Sequence, residues 1–417
     1  MVYKLFWTII IFLIFSNAIY FSIKLSFPQL SFKKMFSSLK KEDNSNINSI
    51  NSLMMSLANK IGVGSLAGIS FAIYYGGPGV IFWMWVFTII TSINTYLESY
   101  LGVLYKEKDG DFYKGGPSYY IKSGLNNKKL SLVYTVLIIF AYIFCFLTIQ
   151  TNTISLLVNK TFDINIILIG LIITFLSFIF IFKGLKSISN LCSKIVPLMA
   201  FLYIICGLYV IFNNYLIIPN IFETILTDAF SIKSITLGSI YVAITKSIFA
   251  TESGLGTSAI AVGADESLDC KKSSYIQILG VYFIGLVITT ITAIIILSSN
   301  YNSLVFSNIN GIELTRYAFN YHFGVLGDYL LNIILILFAF STIITGYYYG
   351  ESALKSINNK NIRIKVLILK ITTLILLFLG SIIKPNIIWN LVDTIIMLLT
   401  VINIYSIYRL KDKIMIK

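Results

Sequence analysis

Gly62-Val63-Gly64-Ser65-Leu66-Ala67-Gly68 interrupts an apolar stretch that covers residues 52–73. A run of about 20 apolar residues crosses a ~30 Å hydrocarbon core as a helix, but three glycines in seven positions make a poor helix centre. A second stretch, over 237–262, is interrupted in the same way by Thr251-Glu252-Ser253-Gly254-Leu255-Gly256-Thr257-Ser258. In a bilayer, backbone groups freed by such a break are tolerated only where they face protein or a water-filled cavity. Both breaks carry hydroxyls able to cap the half-helix that follows. For either break alone a blander reading stands beside this one: close helix packing through small residues, of the GxxxG kind.

Outward from the breaks, apolar runs bounded by polar or Gly/Pro punctuation predict eleven transmembrane helices. They cover 5–24, 52–73, 79–105, 131–158, 163–182, 195–213, 237–262, 274–298, 326–349, 364–382 and 387–408. The first also resembles a signal peptide, with Lys4 ahead of an apolar core and Ser16-Asn17-Ala18 as a weak cleavage site. Its apolar stretch continues to Phe21, which suits a retained helix better. The 417 residues are 57% hydrophobic and 12% charged, whereas soluble chains carry roughly 25% charged residues. The chain reads as an all-α polytopic membrane protein, which excludes soluble enzymes and disordered chains. Its net charge of +14 follows from topology. Of the 32 Lys and Arg, 24 fall in one set of alternate loops and the tail; only Lys4, Lys160, Lys233, Arg316 and Lys384 lie on the other side. The positive-inside rule then places the N-terminus outside and the C-terminus in the cytoplasm, in the plasma (inner) membrane. No nucleic-acid partner is needed to explain the basicity.

The first break opens a set of five spans and the second opens another five. Five is odd, so the two sets sit upside down relative to one another, with the first span added outside them. The chain divides into 1–51 (extra helix and cytoplasmic linker), 52–213 (first repeat), 214–236 (extracellular connection), 237–408 (inverted second repeat) and 409–417 (cytoplasmic tail). Gly-interrupted helices at matching places in inverted halves point to the central site of a secondary transporter. There, free N–H groups and positive half-helix ends can hold a carboxylate, and released carbonyls a small cation. Other chemistries find little support. The single histidine, His322, falls in a polar loop, and Cys145, Cys192, Cys206 and Cys270 form no CxxC pattern; HExxH is absent as well. Neither a catalytic Ser/His/Asp set nor a repeated channel filter is present. No cofactor and no obligate protein partner is expected; membrane lipid surrounds the chain.

With these residues in view, the sequence resembles the alanine/glycine:cation symporter family (the sodium:alanine symporter family), within the amino acid–polyamine–organocation superfamily, almost from end to end. Gly76 through Trp85 reproduce its GGPGxxFWMW run, followed by Glu98, and Gly115 through Ile121 are close to GGPMYYI. Ile195 through Met199 echo VPxM, and Phe249 through Gly256 echo FSNEAGLG. Phe338 through Thr342 and Tyr348 through Glu351 resemble FAFTT…YYGE, and Trp389 with Asp393 fits WxxxD. The resemblance implies a leucine-transporter-type fold, five plus five inverted helices around a midplane site, and Na⁺-coupled uptake of a small neutral amino acid. It implies that the backbone at Gly62, Val63, Gly64 and Ser65 receives the substrate carboxylate, that Thr251 faces the ammonium side, and that Gln150 is a polar pocket residue. It further implies Na⁺ ligation by Ser341 and Thr342 with carbonyls near Ala58 and Ile61, an oxygen-only set that suits a hard cation.

Each assignment has an ordinary alternative. Ser and Thr in membrane helices often bond back to the carbonyl four residues earlier, and Gln150 faces the bundle interior on either reading. Glu98, Glu252 and Asp393 are ionisable at or near membrane depth, which marks them for gating or coupling. Glu252 is equally suited to tying down loose backbone N–H groups. Lys60 and Lys246 are gate partners for acidic groups or snorkelling side chains.

The departures from the family pattern fall in the site. Gly62 through Ser65 stand where GTGN is usual, Thr251 replaces asparagine, and Gly346 replaces a tryptophan. Gly285-Leu286 and Thr400-Val401 replace Asp-Thr and Pro-Asn. These changes predict a pocket larger than one for alanine or glycine, unless a side chain such as Tyr347 or Phe340 refills it. The alternatives to Na⁺ symport are a proton-coupled or exchange carrier and a non-transporting amino-acid sensor of the same fold.

Overall fold

The computed structural model describes residues 2–39, 47–231, 239–306, 308–357, 361–383 and 386–415. It is helical apart from one short hairpin. Besides a few short helical segments, the helices are α1 (Val2–Lys24), α2 (Ser49–Lys60), α3 (Gly64–Gly76), α4 (Val80–Leu104), α5 (Lys128–Phe162), α6 (Ile166–Lys183), α7 (Leu185–Asn213), α8 (Ile218–Ala229), α9 (Ser239–Thr251), α10 (Thr257–Val262), α11 (Cys270–Leu297), α12 (Gly311–Phe323), α13 (Leu326–Lys355), α14 (Ile362–Ile382) and α15 (Asn386–Arg409). Short polar side chains start several of them. Asn48, Asn127, Asn165 and Asp269 each accept a backbone N–H from the first turn of α2, α5, α6 and α11, which satisfies a donor the helix cannot.

Among the described residues, eight helices are long and apolar enough to cross a membrane, nine when the bent pair α2–α3 is taken as one span. The chain is therefore a multi-pass membrane protein. The reading of eleven spans differs from this count at two places. The stretch 237–262 is divided between 13-residue α9 and 6-residue α10, and at 1.5 Å per residue α9 reaches only about 20 Å. The 21-residue α14, with Arg363, Lys365 and Lys370 in its first half, stands outside the count. α7 begins ten residues before the predicted 195, because its polar first turns stay helical beyond the apolar segment. His322 lies in α12 rather than in a loop.

The two breaks meet. α2 and α3 are bent 58° at residues 61–63; α9 packs against α3 and α10 against α2, so each half of one broken helix faces a half of the other. α4, α5, α11 and α13 surround them, and residues 55–70 and 247–265 are buried throughout.

Several contacts are too close for side chains. A Cβ on Gly79 would fall 2.3 Å from the Ala229 amide, where Asp228 also accepts the Gly79 N–H at 2.8 Å. On the opposite face of the bundle, Gly102 lies on the Ala259 backbone and Gly115 on Gly263, a seam of backbone against backbone between α4, the segment after the hairpin, and α10. The hairpin, β1 (Glu107–Asp109) and β2 (Phe112–Lys114), docks on the end of α13 through ion pairs. Lys114 bonds Asp109 at 2.9 Å and Glu351 at 3.1 Å, and Lys355 bonds Asp109 at 2.8 Å.

Candidate functional site

At the first break the chain turns at Ile61, whose N–H still bonds Leu57 while its ψ of 78° leaves the helix. Val63 is the first residue with a freed N–H aimed at another element: it donates to Gln150 Oε1, 3.0 Å away on α5. Gly62 has no room for a side chain, since a Cβ would lie 2.7 Å from Thr342 Oγ1 and 2.9 Å from Gln150 Nε2. Ser65 turns back onto the Gly62 carbonyl at 2.8 Å. Its own carbonyl accepts from Thr292 of α11. Gly64 is roofed by the Phe249 ring, 2.5 Å from an added Cβ; that ring stacks on Phe146, which stacks on Tyr142. The break is thus lined by one aromatic wall and one polar wall.

The second break is tied down almost completely. Glu252, in the left-handed region at φ 54°, ends α9 and extends its carboxylate to the Asn59 amide (2.9 and 3.0 Å) and the Tyr142 hydroxyl (2.9 Å). Gly254 and Gly256, both at φ 92°, adopt a conformation that L side chains rarely take. Gly256 donates to Glu98 Oε2 at 2.8 Å, and the Gly254 carbonyl accepts from Asn403 at 2.9 Å. Tyr134 closes on the Leu255 carbonyl, while Ser253 joins the Thr91 carbonyl and Thr95. A buried backbone group left unpaired costs roughly 1–3 kcal/mol, so these bonds decide whether the break persists.

Ser341 and Thr342 of α13 both reach the Ala58 carbonyl, at 3.2 and 3.0 Å, and Thr342 also approaches the Asn59 carbonyl at 3.3 Å. Both bond back to Phe338 in their own helix as well. Two hydroxyls facing carbonyls at the end of α2 form a neutral oxygen set, the chemistry a monovalent hard cation selects. The Met199 thioether lies 3.7 Å from Ser341 on the other side.

Gly62, Val63, Gly64, Ser65, Gln150, Ala58, Ser341 and Thr342 therefore come together. Ile61 caps α2 beside them. Thr251 is adjacent, but its hydroxyl bonds the Ser247 carbonyl of its own helix at 2.8 Å. Glu98 and Glu252 hold the second break. Lys60 does not snorkel: it is 3% exposed and donates to Ser258 of α10 at 2.7 Å. Lys246 lies 6.0 Å over the Phe249 ring. Asp393 is half-buried on α15, ten residues, or about 15 Å along a helix, from Asn403. At Gly346 an added Cβ would meet Leu147 at 2.7 Å and Tyr142 at 3.1 Å. The Asn59 amide oxygen follows at 3.6 Å. Tyr347 bonds Glu351, and Phe340 packs on Phe180. Gly285 admits Thr88 of α4, 2.3 Å from its added Cβ. The residues that sequence reading missed are Asn59, Tyr142, Tyr134 and Asn403. Asn59 is signalled by a polar pair, Asn59-Lys60, inside the apolar stretch 52–73.

A family model described as the sodium:alanine symporter family matches residues 1–417. The amino-acid carrier protein AlsT of Bacillus subtilis is 32% identical over 413 residues, covering 97% of this chain and 88% of its own. The probable sodium/glutamine symporter GlnT of the same organism is 33% identical, with 96% and 85% covered. The sodium/alanine symporter AgcS of Methanococcus maripaludis is 28% identical, with 92% and 87% covered. Among solved structures, a manganese transporter of Eremococcus coleocola has a similar fold, with a TM-score of 0.56 at 11% identity over 87% of this chain and 78% of that one.

Proposed function

Since the chain belongs to the sodium:alanine symporter family, we propose that it is a secondary active transporter that carries a small neutral amino acid together with Na⁺ by alternating access. The observation that supports this most is the meeting of the two breaks. The Val63 N–H is held by a side-chain acceptor, Gln150, that a substrate carboxylate can replace. In this reading the backbone of Gly62 through Ser65 receives the carboxylate, Thr251 lies on the ammonium side, and Ala58, Ser341 and Thr342, with the Ile61 carbonyl, coordinate Na⁺. Eleven spans in a five-plus-five inverted repeat, with the N-terminus outside and the C-terminus cytoplasmic, complete the proposal. Lys60 and Glu252, which tie one break to the other, and Glu98, which holds the second break from α4, act in gating; Lys246 and Asp393 are secondary candidates for coupling.

In this reading Gly346 leaves no added space for a substrate side chain, because Leu147 and Tyr142 already abut it. A substrate between alanine and glutamine in size fits this reading, and the names of the relatives span that range. A second reading, proton coupling, draws support from the buried Lys60 beside the charges of Glu252 and Glu98. Uptake of labelled amino acids into proteoliposomes under an inward Na⁺ gradient, an inward H⁺ gradient, or neither tests both. Na⁺-driven uptake of alanine, serine or glutamine is expected. Uptake driven by H⁺ alone moves the assignment to the second reading, and binding without uptake under any gradient sinks both in favour of a sensor.

A further inference from the structure

α1 stands outside the two sets of five, yet it is joined to them at a specific place. α1 and α15 run side by side in the same direction, with Tyr20 against Tyr408 at one end, ring centroids 6.0 Å apart. Between them a cleft of about 530 Å³ is lined by Leu13, Asn17, Tyr20, Val401, Ile404 and Tyr408, among others. Leu13, Val401 and Tyr408 remain exposed on its walls. Two tightly packed helices interlock ridges into grooves; these two leave room instead.

The tyrosine end of the cleft is basic. Lys24 is one turn beyond Tyr20, Arg409 follows Tyr408, and the Lys411 ammonium lies 4.8 Å over the Tyr408 ring. Lys413 is exposed nearby, and Asp412 is the one acid in that turn. Tyrosines with Lys and Arg at a helix end mark the level of the lipid headgroups, and basic pockets between membrane helices take anionic headgroups.

The inner wall of the cleft touches the second break. Asn17 donates to Asn94 Oδ1 at 2.8 Å. The Cβ of Asn94 and the Cδ1 of Ile404 come within 3.7 and 3.5 Å of a Cβ placed on Gly254. One layer of side chains therefore separates the cleft from the backbone of residues 252–256.

We propose that this cleft binds an anionic phospholipid, with an acyl chain between α1 and α15 and the phosphate among Lys24, Arg409 and Lys411, and that its occupancy steadies the second break. The inference does not depend on which solute is carried.

Two measurements on the full-length chain test it. Native mass spectrometry from an equal mixture of phosphatidylglycerol and phosphatidylcholine reads lipid retention. Hydrogen exchange of residues 252–256, in nanodiscs of phosphatidylcholine with or without phosphatidylglycerol, reads the break. Wild type is expected to retain phosphatidylglycerol selectively and to exchange more slowly at 252–256 when it is present. K24Q/R409Q/K411Q should weaken retention by about fivefold per charge removed. Val401→Trp, which narrows the cleft and keeps the charges, should weaken retention. Both variants should keep the wild-type unfolding temperature in pure phosphatidylcholine, which separates loss of lipid from loss of fold. Equal retention of the two lipids by wild type overturns the site, and undiminished retention by Val401→Trp overturns the cleft. Exchange at 252–256 that ignores phosphatidylglycerol overturns the coupling.

Discussion

Gln150 shows how much one side chain does in this bundle. It is the acceptor for Val63, and its replacement by alanine leaves that N–H buried without a partner. Gln150→Ala is expected to lose about 1–3 kcal/mol of stability, read by denaturation in detergent, and to abolish uptake in membranes where the protein remains folded. Thr342→Ala removes one hydroxyl from the oxygen set facing Ala58. In uptake assays it should raise the half-saturating Na⁺ concentration by about tenfold, the effect of one interaction worth ~1.4 kcal/mol. An unchanged Na⁺ dependence would remove Thr342 from the ligand set. His322 offers a residue-level test of pH. Burial lowers its pKa below the ordinary value, against the opposing bond to the Ile295 carbonyl. Because the folded-state pKa is the lower one, protonation favours the unfolded chain. This contribution is complete above about pH 6.5 and is lost as the pH falls through and below that value. The difference in unfolding temperature between wild type and His322→Gln should accordingly shrink between pH 8 and pH 5.

Among the elements, the long apolar helices and both breaks were legible because hydrophobic length and glycine content are local properties. The breaks at residues 61–63 and 252–256 overlap the glycine-rich segments read from composition, although Gly64 through Gly68 are already helical. What escaped the reading was three-dimensional. Asn403, 305 positions from the Glu98 it bonds, carries no mark in sequence that sets it apart from other polar residues of α15. That α9, with only 13 residues, falls short of crossing a membrane by itself was not legible either, because the sequence reading counted both sides of the break as one span. Leu147 and Tyr142, which abut Gly346, come from α5, whose register against α13 only the fold supplies. Two glycines make this quantitative. Gly346→Ala meets the flexible end of Leu147 and is expected to cost about 1–3 kcal/mol, recovered in large part by Leu147→Ala in the same chain. Gly79→Ala meets the rigid Ala229 backbone, so its loss should exceed that of Gly346→Ala and resist rescue by side-chain trimming. Thermal unfolding of the four proteins ranks them.

For the whole molecule, the distribution of Lys and Arg gives a topology that a single thiol can check. Cys145, Cys192 and Cys206 are buried, whereas Cys270, at the start of α11, is half-buried. A membrane-impermeant maleimide is expected to label Cys270 in inside-out vesicles and to leave it untouched in right-side-out ones; the reverse pattern would invert the proposed orientation.

The seam formed by Gly102, Ala259, Gly115 and Gly263 has a mechanical meaning as well. Helices that interlock by ridges and grooves have preferred angles, and turning one against the other means climbing over side chains. Where backbone lies on backbone there are no teeth to climb. For an α10 that has to turn during alternating access, the seam would serve as a plain bearing, with Lys60 and Glu98 holding the start of that half-helix. A methyl group added at Gly115 or Gly263 is grit in that bearing.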